Sequence, residues 1–242
     1  MEKGVARFSL SILGSQYECS AELPAGDAPA SQLLPVFAAV TDLVVGIQRE
    51  ALVPAGSMVS CRAGCGACCR QPVPVTRAEA WSLAALVAGL DDERRRIIES
   101  RFAAALERLR DSGLLAVIEG KDISDPVAVR TLSFRYFDLG IPCPFLENES
   151  CSVYESRPLR CREYLVTSPP ELCADPERQP LKPVPMPVHP SEALAYIGKG
   201  DEALPPAFMP LVLSLKWVAN QTEPEPELPA PEILRNFLAA LK

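Results

Sequence analysis

The chain has a single histidine in 242 residues. General acid–base work therefore falls to carboxylates and tyrosines, none of which stands out from its surroundings. No Ser/His/Asp set, phosphate-cradling glycine loop or dinucleotide fingerprint occurs, so ordinary hydrolase, kinase or dehydrogenase chemistry has no foothold. Positive charge is not in excess: 24 Lys and Arg stand against 31 Asp and Glu, for a net charge of −7. The basic residues alternate with acidic ones, which argues against duplex DNA or RNA as a partner. A secretory apolar block is missing as well, because "VARFSLSILGSQYECS" alternates apolar and polar residues. The longest apolar stretch, "LLPVFAAVTDLVVGI", contains Pro35 and Asp42. It runs for about 15 residues where a bilayer span needs roughly 20. The expectations are a buried helix, no membrane association and a cytoplasmic protein.

Cysteine, by contrast, is abundant: there are nine. Four of them fall in "CRAGCGACCR", as Cys61, Cys65, Cys68 and Cys69. Some 74 residues after Cys69 come Cys143, Cys151 and Cys161, and then Cys173. A disulfide framework does not suit this pattern. Neighbouring Cα atoms lie 3.8 Å apart across a trans peptide, whereas bridged ones are usually about 4.4–6.8 Å apart. Clustered thiols in a reducing compartment read as metal ligands. Gly64 and Gly66 permit the backbone angles that a ligating loop requires. Small neighbours such as Ala63 and Ala67 let backbone N–H groups approach sulfur. Adjacent side chains diverge, so one of Cys68 and Cys69 should complete the first group while the other faces Cys143, Cys151 and Cys161. Cys19, isolated on a strand, reads as an inert thiol.

Around these blocks the periodicity predicts a mainly α protein with a small N-terminal β-hairpin, α+β in class, with irregular cysteine-rich loops at its centre. Phe8, Leu10 and Ile12, then Tyr17, Cys19 and Ala21, alternate as two strands joined at "GSQ". Ser31 reads as the cap of a helix carrying Leu33, Phe37, Val40, Val44 and Ile47. Thr76 and Glu79 form a capping box ahead of a helix from about Arg77 to Val87. A helix opened by Asp91 and Asp92 closes at Gly113, with i,i+4 pairs Asp91–Arg95 and Asp92–Arg96. Another follows Asp125-Pro126. Ser156, with Pro158 in the first turn, should cap a helix that puts Arg157 and Cys161 on one face. Proline-rich stretches 169–190 and 223–231 read as connectors, with "SEALAYIG", "FMPLVLSLKWV" and "PEILRNFLAAL" as helices; His189 is a plain loop residue. The organisation expected is a hairpin over 1–28, a helical cysteine-cluster unit over 29–175, and connectors with packing helices over 176–242.

An adjacent cysteine pair preceded by two spaced cysteines, then "CPFL", "VYESRP" and "CREY", resembles the zinc- or iron-chelating cysteine-cluster (CxxCxxCC) domain family. The likeness covers Cys61 to about Tyr164. It implies that Cys61, Cys65, Cys68, Cys69, Cys143, Cys151 and Cys161 chelate, with Cys173 outside the motif core as a further candidate. The first gap here is three residues where the family's short name has two.

Zinc and iron–sulfur clusters both take four thiolates. Tight runs with outlying cysteines favour iron–sulfur, and a redox or electron-transfer protein with a protein partner is the leading reading. Arg157, Arg160 and Arg162 beside the second block could form a cationic rim for an anionic cofactor or substrate, or simply pair with Glu155 and Glu163. Two alternatives stand beside it: a structural zinc protein, and an atypical S-adenosylmethionine-dependent methyl-transferring enzyme or oxidoreductase. Cys61-x3-Cys65-x2-Cys68 matches the radical enzyme signature, and the cysteine-cluster family looks related to a flagellin lysine methylase. Ala67 where that signature has an aromatic, the extra Cys69, and the lack of βα alternation oppose a standard radical enzyme.

Overall fold

The structure, a computed structural model, describes residues 3–120, 126–174, 176, 179–197 and 208–241. Asp125, Gly198 and parts of the 169–190 stretch lie outside the described residues. Strands β1 (Lys3–Ile12) and β2 (Ser15–Pro24) pair antiparallel, with Phe8 opposite Cys19 and Leu10 opposite Tyr17. Their turn is the two-residue Leu13-Gly14, with φ of 50° and 80°, one step earlier than "GSQ". Both central residues of such a turn take positive φ, and that twist matches the strands.

The chain then forms β3 (Asp27–Pro29), a 3-10 turn over Ala30–Leu33, and α1 (Leu34–Leu52). Ser31 sits inside the 3-10 turn rather than capping the helix, and its N–H is taken by the Glu225 carboxylate at 3.0 Å. The helical run from Ala30 to Ala55 is 26 residues, long and apolar enough by those two measures to cross a membrane. This exceeds the sequence estimate, because the run continues through the polar Gln48–Glu50 to a second 3-10 turn. Its Phe37, Val40, Val44 and Ile47 stripe nevertheless lies in the main core, between 0 and 9 % exposed.

Thr76 caps α2 (Arg77–Ala88) with the expected reciprocal box. Asp91 caps α3 (Asp92–Asp111), which ends before Gly113 at φ 72°. The ion pairs on α3 differ from expectation. Asp91 is occupied by the Arg94 N–H, and Arg95 pairs with Asp92 one position closer than i,i+4. A short α4 (Leu114–Gly120), not anticipated, precedes α5 (Pro126–Asp138). The second cysteine block ends inside α6 (Leu159–Glu163), and α7 (Pro190–Ala195) follows. Among the described residues, α8 (Ser214–Ala219) and α9 (Ala230–Ala240) complete the helices.

Short ladders tie distant segments together. β4 (Pro74–Val75) pairs with β7 (Met209–Pro210), and β8 (Glu227–Pro229) pairs with β3. The proline-rich 223–231 stretch is thus partly a strand rather than a free connector. Three apolar clusters result. The largest joins the hairpin, α1, α7 and α9, with Phe37 stacked on Phe237 at 4.3 Å. A second gathers the end of α3 with Leu114, Tyr136 and Ile141. The third holds Val75, Leu83, Ile98, Phe102 and Phe145, and Cys143 and Val153 pack against it. The second cysteine block is therefore founded on the core made by α2 and α3.

Candidate metal centre

The first block is a chain of tight turns. The Cys65 N–H donates to the Arg62 carbonyl, Cys69 to Gly66 and Gln71 to Cys68. Gly64 takes φ 83°, the left-handed region where a side chain is penalised. The second block turns between β5 (Leu146–Glu147) and β6 (Ser150–Cys151), at Asn148-Glu149 with φ of 48° and 58°. Holding a glutamate there costs about 1–2 kcal/mol. Two charge-assisted hydrogen bonds from Arg70, at 2.6 and 3.0 Å, hold Glu149 in place.

These blocks meet directly. The Cys143 N–H donates to the Cys69 carbonyl at 2.7 Å. Gly66 packs so closely on the β5–β6 turn that a Cβ there would lie 2.6 Å from the Glu149 carbonyl oxygen. On the other side, Ser60 donates its N–H to Val166 at 2.9 Å and its hydroxyl to Thr167 at 3.2 Å. The Cys61 sulfur accepts the Val166 N–H at 3.4 Å. From there the chain reaches Cys173, buried at 3 % exposure in a 3-10 turn over Pro170–Ala174.

Crowding governs the thiols. Burial pushes Cys143 up to about 12, with Cys151 and Cys68 adding to the rise. Burial likewise drives Cys161 well above the usual value, reinforced by Cys143, Cys68, Cys151 and Glu79. Cys173 rises to about 11, first through burial and then through Cys68, Cys61 and Cys65. Cys61 and Cys151 are raised by burial, against the lowering effect of N–H groups from Val166 and Val153. Cys68 and Cys69 pair with each other, which favours the thiolate on Cys68 and the thiol on Cys69. A set of thiols that repel each other as anions ionises together only with a cation among them, and a metal is that cation.

All nine cysteines are free. Among the described residues, no three His, Cys, Asp or Glu side chains are drawn together closely enough to hold an ion as they stand. What links the eight is a shared electrostatic neighbourhood, with backbone N–H groups from Val166, Phe145 and Val153 aimed at the sulfurs of Cys61, Cys143 and Cys151. That donor set fits thiolate sites, whose sulfurs accept backbone hydrogen bonds. Cys19 stands apart on β2, its thiol directed at the Tyr17 carbonyl at 3.6 Å.

Residues 60–179 match the family model CxxCxxCC, described as "Putative zinc- or iron-chelating domain". The chain is a CxxCxxCC-domain protein. No curated protein and no solved structure matches it. The CxxCxxCC domain spans the stretch in which the two blocks join, including Cys173, and metal chelation by zinc or iron is the character it brings.

The arginines around the CxxCxxCC centre are placed differently from one another. Arg157 lowers the Cys151 thiol electrostatically while its guanidinium lies 3.7 Å over the Tyr154 ring. Arg160 reaches Glu192 at 3.1 Å and Glu163 at 3.6 Å. Arg162 is 5 % exposed, bonded to Asp42 at 2.7 Å and to the Glu155 and Arg157 carbonyls. Ser156 lies in a 3-10 turn and makes no cap; Pro158 is the residue that opens α6, so Arg157 is extended and off the helix. Two further basic residues also face the thiols: Arg70, which with Arg62 brackets the first block in the sequence, interacts with Cys69, and Arg49, which the sequence does not single out, lowers Cys61. Arg70 had a readable signal, adjacency to the pair, whereas Arg49 reaches Cys61 from the end of α1. His189 is half-exposed, its Nδ1 3.7 Å from Glu163.

Proposed function

We propose that Cys61, Cys65, Cys68, Cys69, Cys143, Cys151, Cys161 and Cys173 bind an iron–sulfur centre or centres, and that the protein passes electrons to a protein partner in a reducing, cytoplasmic setting. The observation that carries this reading is the 2.7 Å bond from the Cys143 N–H to the Cys69 carbonyl, which brings two cysteine blocks 74 residues apart into one crowded thiol neighbourhood. Iron–sulfur is favoured over zinc by the donors aimed at three sulfurs and by Arg49, Arg70 and Arg157 nearby. Hydrogen bonds and positive charge at the sulfurs tune a cluster's potential, a property that a structural zinc does not use. When bound, such a centre would supply one-electron chemistry; the residues hold it, shield it and offset its charge.

The S-adenosylmethionine reading needs an iron left open by Cys61, Cys65 and Cys68. Cys173 lies in the neighbourhood of those three thiols and is a ready fourth ligand, which weighs against it.

The experiment is anaerobic purification followed by iron, zinc and sulfide counts, absorbance and paramagnetic resonance. A coloured protein with iron and sulfide and a reducible signal is expected. A colourless protein holding zinc without sulfide would overturn the redox assignment. A spectrum that changes on adding S-adenosylmethionine would move the reading to the enzyme.

A further inference from the structure

Cys161 sits in α6, the helix that contains most of "CREY", and α6 is only five residues long, Leu159–Glu163. Isolated helices are marginal even at about 12–15 residues, so neighbours must hold this one. The residues around Cys161 are tied to three different elements. At the start of α6, the Leu159 N–H donates to the buried Glu79 carboxylate of α2 at 2.8 Å. Arg162 reaches Asp42 of α1 at 2.7 Å. At the end, the buried Glu163 carboxylate accepts the Ser191 N–H at 2.6 Å and the Ser191 hydroxyl at 2.7 Å, both from the first turn of α7. Arg160 supplies positive charge beside it, at 3.6 Å.

These bonds do more than add contact. Leu159 already belongs to the main core with Val188, Ala193 and Leu194. Apolar contact of that kind has no direction, and a short helix resting on it alone is free to roll. Residues i and i+4 share a helix face, so Leu159 and Glu163 lie together on the buried side of α6. Cys161, two residues from each, is turned from them by about 200°, away from that side and towards its neighbours Cys143 and Cys151. We propose, resting on the metal-binding reading above, that Glu163 is a positioning residue for Cys161, with Ser191 as its partner. The two short bonds to Ser191 fix the rotation of α6, and that rotation decides whether the Cys161 sulfur faces the other cysteines. Burying a carboxylate is costly unless it is hydrogen-bonded and paired; Glu163 is both, and directs the helix in return.

The full chain is purified anaerobically, and the rate at which excess EDTA strips its metal is measured together with metal content and absorbance. The fold of each variant is checked by circular dichroism. Glu163→Ala is expected to lose its metal about 10–100-fold faster, the usual cost of removing a group that orients a ligand, with its spectrum shifted towards that of Cys161→Ser. Ser191→Ala should move the same way by less, since the Ser191 N–H bond remains. Glu163→Gln should restore near wild-type release, because its amide oxygen accepts from the N–H and its amide N–H donates to the hydroxyl. Leu109→Ala, a truncation in the second apolar cluster, to which α6 contributes no residue, should lower the thermal midpoint and leave release unchanged. Wild-type protein purified without iron or zinc would sink the metal-binding reading itself. In metal-bearing protein, wild-type release from Glu163→Ala, or release from Leu109→Ala as fast as from Glu163→Ala, would overturn the positioning role alone. If Glu163→Ala does not fold, Ser191→Ala carries the test, and its release at the wild-type rate overturns that role.

Discussion

Gly66 has no side chain, and the place where one would sit is already filled. A Cβ there would meet the Glu149 carbonyl oxygen and Leu146 Cδ1, each at 2.6 Å. Gly66→Ala must therefore push the first cysteine block off the β5–β6 turn, at about 1–3 kcal/mol for such overpacking. Gly64→Ala meets open space but carries a φ of 83°, a strain of about 1–2 kcal/mol. Denaturant midpoints should fall for both variants, and metal content should fall only for Gly66→Ala; equal metal content in the two would remove the contact's importance. The sequence allows both glycines to be read as permissive backbone. That is right for Gly64, whereas Gly66 is needed for close approach to a residue 83 positions away. The same limit applies to the arginines. Adjacency names Arg157, Arg160 and Arg162, but only packing reveals that Arg162 is buried on Asp42 and that Arg49 arrives from another helix.

At the level of elements, Glu79 shows what local pattern can and cannot tell. Four residues, Thr76 to Glu79, suffice to predict the capping box of α2. Nothing local predicts that Glu79 also accepts the Leu159 N–H at 2.8 Å, joining the start of α2 to the start of α6, the helix that carries Cys161. Burial raises the Glu79 carboxyl above its ordinary 4.5 despite these bonds. The native state thus keeps a proton that the unfolded chain has released. The stability linked to this group is complete below 4.5 and declines as pH rises through the native value. Glu79→Gln should flatten that decline in denaturant midpoints measured across pH, while costing about 1–3 kcal/mol through a lost acceptor. An unchanged slope would assign the pH dependence elsewhere. Proline and composition explain the element-level misses. Pro35 and Pro158 open helices without help from Ser31 or Ser156, and the seven-residue α4 is too short for a period to declare itself.

Across the whole molecule, the hairpin and α1 are closed by α9, through the Phe37–Phe237 stack and the β3–β8 ladder. The cysteine loops rest on a different cluster, beside Phe145 and Val75. Phe237→Ala should cost about 3–5 kcal/mol, read as a lower thermal midpoint, while the protein that remains folded keeps its full metal content. Loss of metal in parallel with stability would mean the two cores are one cooperative unit. The fold class and the meeting of the cysteine blocks were both legible from periodicity and spacing. The pairing of residues 27–29 with 227–229 was not, because a three-residue ladder leaves no periodic trace. Chain order also sets an order of events during synthesis. The first thiols leave the ribosome long before Cys161, and longer still before Phe237, a delay on the order of ten seconds at about 5–20 residues per second. Until residues 143–161 have followed, the thiols of residues 61–69 therefore lack the segment that packs against them, and cysteines that wait in this way are open to oxidation.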